Sequence, residues 1–156
     1  LQQEAVGLVQ DAFGDLALFA SPVRPVMASR DCRSALAGSP MIYVHNKVLV
    51  KDDDVALIGS GNLNGRSMRW DTEAGVVISE PAKMRVLRHR LLSHWWFDAL
   101  PAEAVRAETL IPGWARAVAE NGVCRPENRT GFLVPYDPEN HAHLAQALPG
   151  ITENIV

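Results

Sequence analysis

The sequence predicts a protein of the α/β class, because segments typical of helices and of strands alternate along its 156 residues. Apolar residues recur at helical spacing in residues 1–20, which predicts an amphipathic helix. Alternating and apolar runs in residues 41–58 and 72–78 predict a hairpin followed by a third strand. Pro81 suits the first turn of a helix that runs to about residue 97.

The remaining segments give weaker patterns. Residues 23–27 are typical of a short strand or an extended link, and residues 28–40 of a polar loop or brief helix. Two further helices are predicted over residues 101–110 and 114–121, the second ended by Gly122. A long loop over residues 126–138 and a helix over residues 140–148 complete the prediction.

Composition limits the classes of protein to which the chain can belong. A hydrophobic content of 47% over 156 residues is enough for one domain with its own core, with residues 100–156 as a less certain tail. A formal charge of -3 gives no basic footprint, which disfavours a nucleic-acid partner. Cys32 and Cys124 have no metal-type spacing and predict free thiols. No apolar run approaches the roughly 18 to 20 residues that cross a bilayer, so the compartment stays open between cytoplasmic and membrane-associated.

The segment 43–62 carries the densest group of chemically useful residues. If a strand runs through it, His45 and Lys47 point to the same face, because residues two apart on a strand do so. The polar residues 52–54 predict a turn, and the returning strand delivers a corner of small residues at 59–62. Such a corner brings backbone amides and short polar side chains close to an anion. Taken alone, a histidine such as His45 on a strand is more often structural than catalytic.

A family resemblance rests on this segment. The pattern H-x-K-x4-D-x6-G-S-x-N resembles the signature of the phospholipase D superfamily. Its specified positions are His45, Lys47, Asp52, Gly59, Ser60 and Asn62. Residues 63–68 and 71–73 also resemble the family's segment after the motif, where an acidic residue, here Glu73, contacts the catalytic histidine. The close likeness covers residues 42–78.

The resemblance implies a mixed central sheet flanked by helices and a metal-independent route through a phosphohistidine, with no cofactor. It implies that Lys47 and Asn62 hold phosphoryl oxygens and that Ser60 adds a hydrogen bond. Glu73 would accept a hydrogen bond from His45 and fix its tautomer. Asp52 and Gly59 would serve the motif structurally, and Asp52 alone is equally typical of a turn residue.

One such motif is half of the family's active site. The second half is expected either from the same longer chain, of which residues 1–156 would be the C-terminal part, or from a homodimer. The start at Leu1 and the likeness of residues 42–73 to the second motif of long phospholipases favour the longer chain. His45 would then be the general acid.

The predicted function is cleavage or transfer of a phosphatidyl group from a phospholipid substrate. The alternatives are a nuclease of the same superfamily and a non-catalytic half-domain used for assembly. Core packing is predicted for Trp95 and Trp114, whereas Trp70, between the corner and Glu73, is the better candidate for contact with substrate or a membrane surface. No metal is expected at the histidine pairs 89/94 and 141/143.

Overall fold

The structure, a computed structural model, describes residues 2–137 of the chain, with side chains described from Glu4 onwards. The helix predicted over residues 140–148 and the pair His141 and His143 lie outside the described residues. Residues 2–43 and 92–137 belong to one compact unit, and residues 44–91 belong to a second. The prediction of a single domain for the whole chain stays a prediction.

The first unit is built from both ends of the described chain. Its longest element is the helix α4, which packs on the strand β7. Its helices and strands are α1 (Gln2–Phe13), β1 (Ala20–Pro22), β2 (Ala35–Leu36), β3 (Ser39–Pro40), α4 (Leu110–Val123) and β7 (Leu133–Pro135). β1 pairs with β7 and β2 with β3, each in an antiparallel manner. More than a hundred residues of chain therefore separate the two partners of the first pair.

The core of the first unit lies around the β1–β7 pair. Val23, Leu36 and Val134 form a buried cluster, with Met41 packed against it. The guanidinium of Arg129 is also buried and donates to three neutral oxygens. These are the Asn121 carbonyl at 2.9 Å, the Ser39 hydroxyl at 2.7 Å and the Ala37 carbonyl at 2.5 Å. Arg129 thus ties residues 37–39 to the C-terminal end of α4.

The second unit is a three-stranded antiparallel meander with two helices. Its elements are β4 (Lys47–Lys51), β5 (Val55–Gly59), α2 (Gly65–Arg69), β6 (Gly75–Ile78) and α3 (Pro81–Ser93), of which the last two residues fall in the first unit. Ala56, on the central strand, and Met84, on α3, have no exposed surface. Arg88 of α3 binds both carboxylate oxygens of Asp53, in the β4–β5 turn, at 2.8 Å.

The α/β class is confirmed, and the strands of residues 2–137 pair in three small antiparallel sheets. The predicted first helix ends early because Gly14 takes a left-handed φ of 52°. The predicted helix over residues 101–110 is a single 3₁₀ turn at Ala102–Ala104. The helix predicted from residue 114 begins earlier, at Leu110, and Pro112 fits there because proline is tolerated in the first turn of a helix. Gly122 lies inside α4, whose C-cap is the extended residue Cys124. The predicted loop over residues 126–138 contains β7.

Candidate active site

His45 does not lie on the strand on which it was expected. β4 begins at Lys47, and residues 42–46 form no strand. The reason is the length of the partner: β5 ends at Gly59, which pairs with Lys47, so β5 does not extend alongside His45. The prediction that His45 lies on the same strand as Lys47 is therefore wrong. Instead, the Lys47 ammonium donates to the His45 carbonyl at 2.9 Å, and this bond fixes the path of the exposed histidine.

The residues in register with Lys47 across the meander are both glycines, so Lys47 has no side chain beside it on the neighbouring strands. Its cross-strand partner is Gly59, whose own partner on β6 is Gly75. A Cβ at Gly59 would stand 3.2 Å from the Ala74 carbonyl oxygen, and one at Gly75 would stand 3.2 Å from that of Ile58. The two glycines therefore permit a close approach of β5 and β6.

The corner after β5 is joined to the start of β6 through Ser60. The Ser60 amide donates to the Ala74 carbonyl at 2.9 Å, and the Ala74 amide donates to the Ser60 hydroxyl oxygen at 3.0 Å. The Ser60 hydroxyl in turn donates to Glu73 Oε2 at 2.5 Å. Since a serine hydroxyl has one proton to donate, it is engaged with Glu73. Ser60 therefore positions Glu73. That Ser60 also adds a hydrogen bond to a phosphoryl oxygen, as the resemblance implies, stays a prediction.

Glu73 is held in its ionised form. The hydrogen bond from Ser60, followed by one from Ser67, lowers the pKa of the Glu73 carboxyl below its ordinary value of 4.5. Partial desolvation opposes this, and the positive charges of Lys47 and Arg66 lower the pKa further. Lys47, Ser60 and Glu73 therefore lie in one neighbourhood, with Glu73 as a carboxylate at neutral pH. That Glu73 orients His45 stays a prediction.

The segment between the corner and Glu73 has its own local order. Asn64 caps α2 by accepting from the Ser67 amide at 2.9 Å. Arg66 pairs with Asp71 at 2.9 Å. Ser67 and Arg66 both act on Glu73, the first through a hydrogen bond and the second through its charge. This role was not predicted from the sequence, and the one signal for it was their closeness to Glu73 in sequence. Asn62 is exposed at the beginning of this segment.

The two remaining motif residues have structural surroundings. Asp52 is the first residue of the β4–β5 turn, where its φ of 49° falls in the left-handed region. Asp and Asn tolerate this conformation better than most residues. Gly59 meets Ala74 and Gly75 as described above, and its φ is not in the positive range. Close approach rather than turn conformation therefore explains why a glycine suits this position.

The tryptophans fall into two groups. Trp114 is buried and donates from its indole nitrogen to the Ala104 carbonyl at 3.0 Å, and Trp95 is half-buried. Trp70 is 80% exposed. Among residues 2–137, no group of three or more His, Cys, Asp or Glu side chains is placed to hold a metal ion. In the same residues, no helix has the length and apolar character needed to cross a membrane.

Comparison with known families identifies the domain. Residues 22–95 match the family model described as "Cardiolipin synthase, PLD-like domain". This match and the relatives below support a phospholipase D superfamily domain in residues 22–95. All seven site residues named above, from His45 to Glu73, lie within the matched range.

Curated relatives of this phospholipase D-like domain carry phospholipase D names. Phospholipase D B of Dictyostelium discoideum is 53% identical over 47 residues, which are 29% of this chain and 4% of that protein. Phospholipase D zeta 2 of Arabidopsis thaliana is 51% identical over 41 residues, or 25% of this chain and 4% of the relative. Phospholipase D alpha 3 of the same plant is 34% identical over 73 residues, which are 46% of this chain and 9% of that protein. The chain thus spans less than a tenth of the length of these relatives. No solved structure matches it.

Proposed function

We propose that this phospholipase D-like domain supplies one half of the active site of a phosphodiesterase that cleaves or transfers a phosphatidyl group. The observation that carries the proposal is the ionised Glu73, held by Ser60 and lying within the field of Lys47. A fixed carboxylate beside a fixed ammonium, on the segment that bears His45, suits acid–base work by an imidazole on an anionic substrate.

The proposed reaction has two steps. A histidine nitrogen forms an N–P bond as the P–O bond to the leaving alcohol breaks, and a second histidine, as imidazolium, gives its proton to the departing oxygen. The second histidine, now neutral, then takes a proton from water or an alcohol, whose oxygen forms a P–O bond while the N–P bond breaks. In a longer chain His45 is the acid, and in a homodimer each copy of His45 takes one role.

Lys47 and Asn62 are proposed as the ligands of the phosphoryl oxygens. Lys47 supplies a point charge, and Asn62 supplies an uncharged donor. The register supports this assignment, since Lys47 pairs with Gly59 and Gly59 with Gly75, so that Lys47 has no neighbouring side chain in its row of the sheet. Loss of either donor should cost about two to four kcal/mol of transition-state stabilisation, by analogy with a lost oxyanion donor.

The partner in this proposal is a second motif-bearing half, either from the same longer chain or from a second copy. The test combines light scattering of the purified chain with hydrolysis of a soluble short-chain phosphatidylcholine in the presence of chelator. We expect either an active dimer or an inactive monomer that becomes active when joined to a second half. In the active form His45→Ala should abolish turnover, while the exposed His89→Ala should not. Turnover that survives His45→Ala would contradict the proposal.

The nuclease and the non-catalytic half-domain are the alternatives. The formal charge of -3 speaks against a nucleic-acid substrate. Cleavage of single-stranded DNA with a steep salt dependence, and none of phosphatidylcholine, would favour the nuclease. A dimer or joined pair of halves that cleaves neither substrate would favour a domain kept for assembly.

A further inference from the structure

Three large apolar side chains are exposed in the first eight of the ten residues that link Asn62 to Glu73. Leu63 is 96% exposed, Met68 is 64% exposed and Trp70 is 80% exposed. We call residues 63–70, of sequence LNGRSMRW, the 63–70 segment. An isolated apolar residue on a surface is ordinary, but three within eight residues, one of them a tryptophan, mark an interaction site.

The 63–70 segment is ordered by polar contacts rather than by burial. Its helix α2 is capped by Asn64, and the Trp70 amide donates to the Arg66 carbonyl at 2.8 Å. The Asp71 amide also donates to the Arg66 carbonyl at 3.0 Å, and the Arg66 and Asp71 side chains pair at 2.9 Å. None of these bonds uses the side chain of Leu63, Met68 or Trp70. The fold of the segment therefore does not depend on those three side chains.

The charges of the segment match a phospholipid surface. It contains Arg66 and Arg69, both exposed, and no acidic residue. Arginine beside leucine, methionine and tryptophan is the composition of peptides that lie in a membrane interface, where the apolar groups enter the acyl boundary. Tryptophan is enriched at this depth because its ring is amphipathic. Arg66 is paired with Asp71, the residue that follows the segment, so Arg69 is the arginine that would meet the negative charge of lipid phosphates.

We infer that the 63–70 segment docks this domain on a phospholipid bilayer, with Leu63, Met68 and Trp70 entering the interface and Arg69 contacting lipid phosphates. The inference rests on the proposed function, because the segment joins Asn62 to Glu73 and would bring a lipid surface to the proposed site. The partner is thus a membrane that contains the substrate, rather than a second protein.

The first experiment measures binding and not turnover. The purified chain is sedimented with vesicles of phosphatidylcholine, with and without anionic phosphatidylglycerol. We expect the variant with Leu63→Ser, Met68→Ser and Trp70→Ser to bind at least about tenfold more weakly than the parent. A matched control carries Leu8→Ser, Phe13→Ser and Leu16→Ser in the first unit, where the parent side chains are 65%, 60% and 74% exposed. The control should bind as the parent does.

Two further readouts assign the contact to individual residues. Brominated lipids should quench the parent's tryptophan emission, and Trp70→Phe should remove most of that quenching while retaining most of the binding. Arg69→Gln should weaken binding to anionic vesicles and leave binding to neutral ones nearly unchanged, and added salt should reduce the difference.

The outcomes separate this inference from the proposed function. Serine substitutions that reduce cleavage of vesicle lipid but not of a soluble short-chain lipid support both. Loss of vesicle binding in a protein with no phosphodiesterase activity supports docking alone. The inference is overturned if the parent binds no vesicles or if the variant with Leu63→Ser, Met68→Ser and Trp70→Ser binds as the parent does. It is also overturned if only the control with Leu8→Ser, Phe13→Ser and Leu16→Ser loses binding. Conversion of a dimer to a monomer by the serine variant, with vesicle binding intact, would assign the segment to a protein interface.

Discussion

The Ser60 hydroxyl donates to the Glu73 carboxylate at 2.5 Å while accepting from the Ala74 amide at 3.0 Å. One hydroxyl thus joins the corner after β5 to the two residues that precede β6. The serine of the motif acts on the carboxylate that the resemblance pairs with the histidine.

Replacing Ser60 should raise the pKa of Glu73. The Ser60 hydrogen bond is the largest cause that lowers this pKa, so Ser60→Ala should move it toward the ordinary value of 4.5. The measurement is an NMR titration of the Glu73 side-chain carboxyl carbon. Ser79→Ala, at an exposed position of the same unit, is the control and should leave the titration unchanged.

The same hydrogen bond predicts a pH dependence of stability. The folded pKa of Glu73 is lowered, so its contribution to the free energy of unfolding is present above the unfolded value near 4.5 and is lost as the pH falls through the folded pKa. Chemical denaturation below pH 4.5 should therefore show the parent and Ser60→Ala converging in stability. A difference that grows as the pH falls would contradict this sign.

Asp52 should tolerate residues that adopt the left-handed conformation. At a φ of 49°, Asp52→Asn and Asp52→Gly should change the free energy of unfolding little, whereas Asp52→Val should cost about one to two kcal/mol. Urea denaturation measures the difference. If Asp52→Gly is stable but loses activity in the assembled enzyme, the carboxylate has a role beyond the turn.

Gly59→Ala and Gly7→Ala should have opposite effects on stability. A Cβ at Gly59 meets the Ala74 carbonyl oxygen at 3.2 Å, so β5 and β6 must separate, at a cost of about 1 kcal/mol or more. A Cβ at Gly7 meets nothing within 4 Å, and alanine favours the helix by up to about 1 kcal/mol. Thermal unfolding compares the two. An unchanged melting temperature for Gly59→Ala would show that the close approach is not needed.

Arg129 should be important for the stability of the first unit, because its buried guanidinium donates to three neutral oxygens. Burial lowers the pKa of its guanidinium, which nevertheless stays charged. Arg129→Met leaves the Asn121 and Ala37 carbonyls and the Ser39 hydroxyl without this donor, and we expect a loss of about two to four kcal/mol. Arg125→Met, at an exposed position nearby, should cost less than about 0.5 kcal/mol.

Fixed spacing explains why the residues of the site could be predicted, and strand pairing explains why their arrangement could not. The motif identified Ser60 and Glu73 from their sequence spacing alone. In the structure Ser60 follows the end of β5, and Glu73 lies just before the start of β6. The position of His45 ahead of β4 depends on where β5 ends, which the apolar run in residues 41–50 does not encode. The bond from Ser60 to Glu73 depends on the register of β5 and β6, and this register is not visible in residue types.

The same reasoning applies to the fold. Local patterns identified α3 and the β4–β5 hairpin because their stabilising contacts are close in sequence. β7 was predicted as a loop, since its partner β1 lies far upstream and no local pattern reports such a pairing. Gly14 shortened the first helix through a backbone angle that the apolar spacing does not register.

The pairing of β1 with β7 sets an order of events during synthesis. Val44 to Leu91 contains the meander, whose strands are neighbours in sequence, so this unit can form as soon as it leaves the ribosome. β1 is made earlier but has to wait for Leu133 to Pro135 before it acquires its partner. Until then Val23 lacks the cover of Val134. The nascent chain therefore holds a formed motif hairpin while the core of the first unit is still incomplete.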